Sequence, residues 1–236
     1  LSGERDGVSA LRGISSMATR HVLAELAADY ERVSGLPVEI TAVGGVDALK
    51  RVEAGEAFDF VVLASEAIEG LATSGRVDAA SKVAIARSGV SMAIAADASP
   101  IDIADEIAVR DAALAARSIG YSTGPSGVHL ARLFERWGIA ETIASRVVQA
   151  PPGVPVASLI AQGDVTLGFQ QTSELLNQPG VAILGPLPAA IQVTTVFSAA
   201  VCAATSQRDA TAAALSFFAS PSTADVKRRH GMEPGL

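Results

Sequence analysis

The sequence predicts an α/β protein with a mostly parallel sheet, and three observations carry that reading. Strand-like and helix-like runs alternate along the whole chain. The strand runs are short and aliphatic, bounded by Gly, Pro, Ser and Asp. Several of them pass directly into helices through turns of Ser, Thr and Gly, as strand–helix–strand units require. With 236 residues the chain can form one large domain or two lobes. Its 49 % hydrophobic share with only 4 % aromatics implies an aliphatic core, and 18 % charged residues exclude disorder.

The elements follow in order. "VSALRGI" (8–14) reads as the first strand. Residues 18–35 place Val22, Leu23, Leu26, Ala27 and Tyr30 on one helical face and stop at Gly35, a residue suited to ending a helix. "PVEITAV" (37–43) alternates as a strand, residues 44–56 open on two glycines and run as a short helix, and "DFVVLAS" (59–65) is a buried strand before "EAIEGLATSG". Further strands are expected at 89–97, 118–121, 165–171, 181–187 and 193–203, with helices between several of them and a closing helix over 208–220. After the 118–121 strand, His129, Leu130, Leu133, Phe134 and Trp137 recur at helical spacing.

A net charge of −7 argues against nucleic acid and against anionic membrane surfaces as partners. A small anion remains open to it, because local N–H dipoles decide binding at short range. The lone Cys202 allows no intramolecular disulfide and no CxxC metal site, so a buried structural thiol is expected. Leu175 to Gln207 carries no charge, but Pro179, Pro186 and Pro188 interrupt it before the roughly 20 apolar residues a spanning helix needs. No signal peptide is present, and the polar start reads as a processed or trimmed end that leaves export open. No P-loop, GxSxG elbow, HExxH or strand-linked GxGxxG occurs, so neither cofactor nor metal is expected.

Three strand-to-helix junctions stand out: "SSMATRH", "GGVDAL" and "STGPSGVH". Each alone reads as ordinary helix capping. In open α/β sheets, however, ligands lie beyond the carboxyl ends of the strands, where three such turns would aim hydroxyls and N–H groups at one anion.

The stretch from "SSMATRHVLAEL" through "EAGEAFDFVVLAS" resembles the opening of the periplasmic (type II) molybdate-binding proteins of ABC transporters. "GPSGVHLARLFERWGI", "LIAQGDVTLGFQQTSEL" and "FFASPSTADVKRRHGMEP" resemble later segments of the same family, so the likeness covers nearly the whole chain. It implies two α/β lobes, 1–86 with 195–236 and 87–194, each with a mixed, mostly parallel sheet. Two crossing strands near 86–95 and 193–200 would act as hinge. It also implies a monomer in the periplasm or secreted, handing a small anionic ligand to an ABC-transporter membrane component.

Placed on the family's pattern, the ligand turns fall on Ser15, Ser16, Ala18, Thr19 and Arg20; on Gly44, Gly45 and Val46; on Ser126 and Gly127; on Gly153 and Val154; and on Gln170 and Gln171. The second turn keeps backbone donors but loses hydroxyls, and Gln171 stands where the family has a tyrosine. Those departures favour a carboxylate over molybdate. Arg20 and Arg87 are candidates to fork onto such a carboxylate, against the alternative of surface ion pairs. The chain also resembles the related aconitate isomerases, which move a proton within a tricarboxylate. That alternative needs a general base, for which His21, His129 and Glu174 are the candidates.

Overall fold

A computed structural model of the chain describes residues 9–235; residues 1–8 of the polar start, with Val8 of the first expected strand, lie outside them. β1 (Leu11–Ser16) reaches two residues beyond its apolar run, because Ser15 and Ser16 complete the parallel register with Ala42 and Val43 of β2 (Val38–Val43). Between them a 3-10 turn, Met17–Thr19, leads into α1 (Arg20–Ser34). α1 buries the expected stripe of Val22, Leu23, Leu26, Ala27 and Tyr30. Each of its large apolar side chains stabilises the fold by roughly 1.5–3 kcal/mol. The helix ends at Gly35, whose φ of 73° is the left-handed cap that glycine adopts without strain.

Next come α2 (Gly45–Glu53), β3 (Phe60–Ala64), α3 (Ser65–Thr73) and β4 (Val83–Ala95), followed by α4 (Glu106–Ala115), β5 (Ile119–Tyr121), α5 (Pro125–Arg136), α6 (Ala140–Ile143) and β6 (Val147–Gln149). The chain closes through α7 (Val156–Gln162), β7 (Leu167–Gln171), α8 (Thr172–Leu175), β8 (Val181–Pro186), β9 (Thr194–Val201), α9 (Arg208–Ala219), α10 (Ala224–Arg229) and β10 (Glu233–Pro234).

The strands lie in the order β2-β1-β3-β9-β4-β7-β5-β6, with β8 and β10 also paired to β4. Parallel pairing is confined to two blocks, β2-β1-β3 and β7-β5-β6. Pairings that involve β4 or β9 are antiparallel. β4 is the joint: Val83 to Gly89 pair with β9, whereas Val90 to Ala93 pair with β7. It therefore begins six residues before the expected 89–97 strand, because its first half completes the other block. The two blocks curl into two lobes, each with helices on both faces. In one, Leu23, Leu26 and Phe218 fill one face and Val52, Ile68 and Leu71 the other. In the other, Val109, Leu130 and Phe134 oppose Val156 and Ile160.

The uncharged 175–207 stretch resolves into β8, a loop and β9, and no helix among the described residues is long and apolar enough to cross a membrane. Cys202 is buried, and burial, with Asp59 nearby, pushes its thiol up to about 12. A thiol so shifted stays protonated and inert.

Candidate functional site

The carboxyl ends of β1 and β2 in one block, and of β5 and β7 in the other, lead into the turns that meet at the lobe junction. There the three Ser/Thr/Gly junctions converge around a cavity of about 80 Å³ that opens to solvent. Ser16, Met17, Ala18, Gly44, Gly45, Val46 and Phe197 line it from one lobe; the 122–126 turn, the 151–154 loop, Gln170, Gln171 and Glu174 line it from the other. The lobes nearly touch at its mouth: a Cβ on Gly44 would lie 3.2 Å from Pro152 Cβ and 3.3 Å from the Gly153 nitrogen.

Backbone N–H groups and hydroxyls dominate the polar part of the lining. α2 and α5 begin in it with Gly44 and Gly124 as their N-caps, and neither helix has a side-chain cap bond. Their first-turn N–H groups and positive dipole ends therefore face the cavity unclaimed by any capping side chain. Among the described residues Ser16 Oγ, which is buried, has no hydrogen-bond partner. Ser126 Oγ lies 3.3 Å from Ser122 Oγ, leaving further lone pairs and a proton to share. A buried polar atom left unpaired costs free energy, so the Ser16 hydroxyl keeps hydrogen-bonding capacity for a group that enters the cavity.

Gln170 and Glu174 form the floor. Gln170 Oε1 accepts the Val156 N–H at 2.7 Å, and its Nε2 donates to Glu174 Oε1 at 2.9 Å. Burial raises the Glu174 carboxyl to about 7, although the Gln170 bond and the charge of Arg20 both pull it down. Among the described residues Glu174 is the one ionisable side chain in the lining.

Gln171 touches the cavity, but its amide is committed elsewhere. Its nitrogen donates to Ser88 O at 2.9 Å and Gly89 O at 3.2 Å, and its oxygen accepts from Thr195 Oγ1 at 2.8 Å. It thus ties β4 to β9 where the lobes meet. Thr172 Oγ1 adds a bond to Gly89 O at 3.1 Å.

Other sequence candidates lie outside the cavity. Ser15 is buried on the opposite face of β1 from Ser16, since adjacent strand residues alternate. Thr19 is spent locally, donating to Ser16 O at 3.1 Å. Arg20 is exposed on α1 and lines a separate shallow groove with Glu31, Val38 and Ile40, its guanidinium 2.9 Å from His21 Nε2. His21 stacks on His230 at 6.4 Å, and burial with the neighbouring Arg20 lowers its pKa. Arg87 is half-buried on β4, backbone-paired with Val196 and Glu233, and does not reach the lining. His129 turns away from the cavity and bonds the Ile191 carbonyl at 2.9 Å, holding α5 to the 187–193 loop. Gly127 packs beneath its turn instead of lining the cavity.

Met17 lines the cavity from within the "SSMATRH" junction, whereas Phe197 does so without any local sequence signal, since it arrives on β9 from far along the chain. Among the described residues no group of three or more His, Cys, Asp or Glu could hold a metal ion.

A family model for bacterial extracellular solute-binding proteins matches residues 11–233. The chain belongs to that family. It is 30 % identical over 233 residues to the aconitate isomerase of a Pseudomonas species, spanning 96 % of this chain and 88 % of the relative. Among solved structures, the periplasmic molybdate-binding protein of Azotobacter vinelandii superposes with a TM-score of 0.79 at 18 % identity, covering 94 % of this chain and 98 % of that one. A sulfate-binding protein from Mycobacterium tuberculosis gives 0.76 at 15 % identity, covering 96 % and 87 %. At such identities these two structures establish the family member's two-lobed fold.

Proposed function

We propose that this family member closes its two lobes on a small anion bearing a carboxylate group. The observation that carries this reading is the unpartnered Ser16 hydroxyl held between the uncapped starts of α2 and α5. A cavity of about 80 Å³ is room for one such head group, with the rest of the ligand extending through the open mouth. Sulfate and molybdate bind to structural neighbours, but the acidic floor at Glu174 and a cavity rich in backbone donors suit a ligand with its charge spread over separate groups. The lobes would divide as 1–86 with 195–236 and 87–194, a partition supported by the change of partner at Gly89–Val90 on β4. By family, the protein would work as a periplasmic monomer feeding an ABC-transporter membrane component.

Calorimetry with trans-aconitate, sulfate and molybdate tests the reading. Tight binding of trans-aconitate is expected, and tight binding of molybdate or sulfate alone would overturn the carboxylate preference. Ser126→Ala is expected to weaken binding by about 1–3 kcal/mol, the scale for leaving a desolvated charged oxygen short of a donor. Wild-type affinity in that variant would remove the 122–126 turn from the site.

One observation favours a second reading. A carboxyl raised to about 7 at the floor of the cleft is poised to give and take protons at neutral pH, as an isomerase of aconitate requires. Likeness to an aconitate isomerase over 96 % of this chain points the same way. Proton NMR of cis-aconitate with the protein separates the readings: conversion to the trans isomer that Glu174→Ala abolishes supports the enzyme, and binding without conversion supports the carrier.

A further inference from the structure

We propose that capture of an anion in this cleft takes up one proton, held between Glu174 and the bound ligand. The inference rests on the reading of the cleft as an anion site. Its basis is the composition of the lining: among the described residues every donor there is a backbone N–H, a hydroxyl or an amide, and the sole charged side chain is an acid. Two negative charges in contact in a desolvated cavity are strongly unfavourable, and one proton between them converts repulsion into a hydrogen bond. The step balances simply: ionised ligand, ionised Glu174 and one proton from solvent give a complex with one fewer negative charge than its parts.

Neighbouring groups do not offset the acid. α8 packs against β4, β7, β8, α7 and the turn before α1. Of these, β7, β8 and α7 carry no charged residue, and β4 carries only Arg87, outside the lining. Arg20 follows the turn, and its charge reaches Glu174 without preventing the rise of the carboxyl to about 7. Gly231 packs on Thr172 and Ser173, and its neighbour His230 is engaged with Glu25 at 2.7 Å. Gln170 orients the acid: its amide oxygen is taken by Val156 N–H, so only its NH₂ faces Glu174 Oε1. The second carboxyl oxygen can then carry the proton toward the ligand.

The prediction is read by calorimetry with trans-aconitate between pH 6.5 and 8.5, where its own carboxyls are ionised, in buffers of different ionisation enthalpy. Affinity is expected to fall about 25-fold across that range, the linkage for a carboxyl that must be protonated from about 7, with uptake of close to one proton at the alkaline end. Glu174→Gln, which keeps the neutral shape, is expected to bind with no pH dependence and more tightly than the wild type at pH 8.5. Binding that is flat with pH and free of proton uptake would overturn the proposal while leaving the anion site standing. Equal pH dependence in Glu174→Gln would also overturn it, by placing the proton elsewhere. If no anion binds at any pH, both the site and the proton fall together.

Discussion

Gly127→Ala is expected to destabilise the protein by about 3 kcal/mol and to abolish anion binding. An added Cβ at this position would lie 1.7 Å from the Ser122 carbonyl oxygen, 2.8 Å from the Ser122 carbonyl carbon and 3.1 Å from Tyr121 Cδ2. The obstacle is backbone, so no side-chain rotation relieves it. Overpacking of a tight site costs about 1–3 kcal/mol, and here the strain falls on the turn that carries Ser122, Ser126 and the start of α5. Relief requires that turn to move off the cavity, so stability and binding fail together. Gly70→Ala in α3 is the control: its Cβ would meet nothing within 4 Å. Replacing that helical glycine should stabilise by about 0.5–1 kcal/mol. Urea denaturation of both variants checks the pair, and a Gly127→Ala protein with wild-type stability would show that the turn yields freely.

The same position marks how far sequence reasoning reaches. Gly127 is identifiable as special within "STGPSG", but its role is to let α5 pass under Ser122, which only the folded turn reveals. The stripe on α1, its Gly35 stop and the three junctions are local patterns, so the order of residues alone makes them legible. Short elements are not: α6, α8 and β10 have four, four and two residues, too few for a period to emerge. α4 is marked mainly by the Asp105 side chain capping the Ala108 N–H at 2.9 Å, a signal easily lost in a polar loop.

Side-chain destinations are harder still. Arg20 and Arg87 have the right chemistry for an anion, yet helix phase and strand register carry both away from the cavity. Gln171 sits where a ligand donor is expected, but its amide is consumed by Ser88, Gly89 and Thr195 across the hinge. His129 has a similar fate at Ile191 O. Glu174 is one of three general-base candidates in the sequence, and what distinguishes it from His21 and His129, its raised pKa, arises from the burial that the folded cleft imposes. Long-range packing decides each of these cases.

Lys227→Met is expected to stabilise the protein by about 2–3 kcal/mol at pH 7. On α10, the neighbouring Arg228 and Arg229 reach outward to Asp225 and Glu25, whereas Lys227 turns inward and is fully buried. Among the described residues its Nζ has no hydrogen-bond partner. Burial lowers its pKa from 10.5 to about 8. A lysine depressed in this way penalises the fold wherever it must be ionised. The cost is therefore full below about pH 8 and disappears as the pH rises toward the unfolded value of 10.5. Methionine matches the length of the chain and removes the charge, so the gain should be largest at pH 7 and about half as large at about pH 9.5. For a chain of this size, 2–3 kcal/mol corresponds to a Tm rise of roughly 5–10 °C. Calorimetric melts of both proteins at the two pH values measure it. A loss of stability, or a gain that does not shrink with pH, would mean that the ammonium finds a partner inside the lobe.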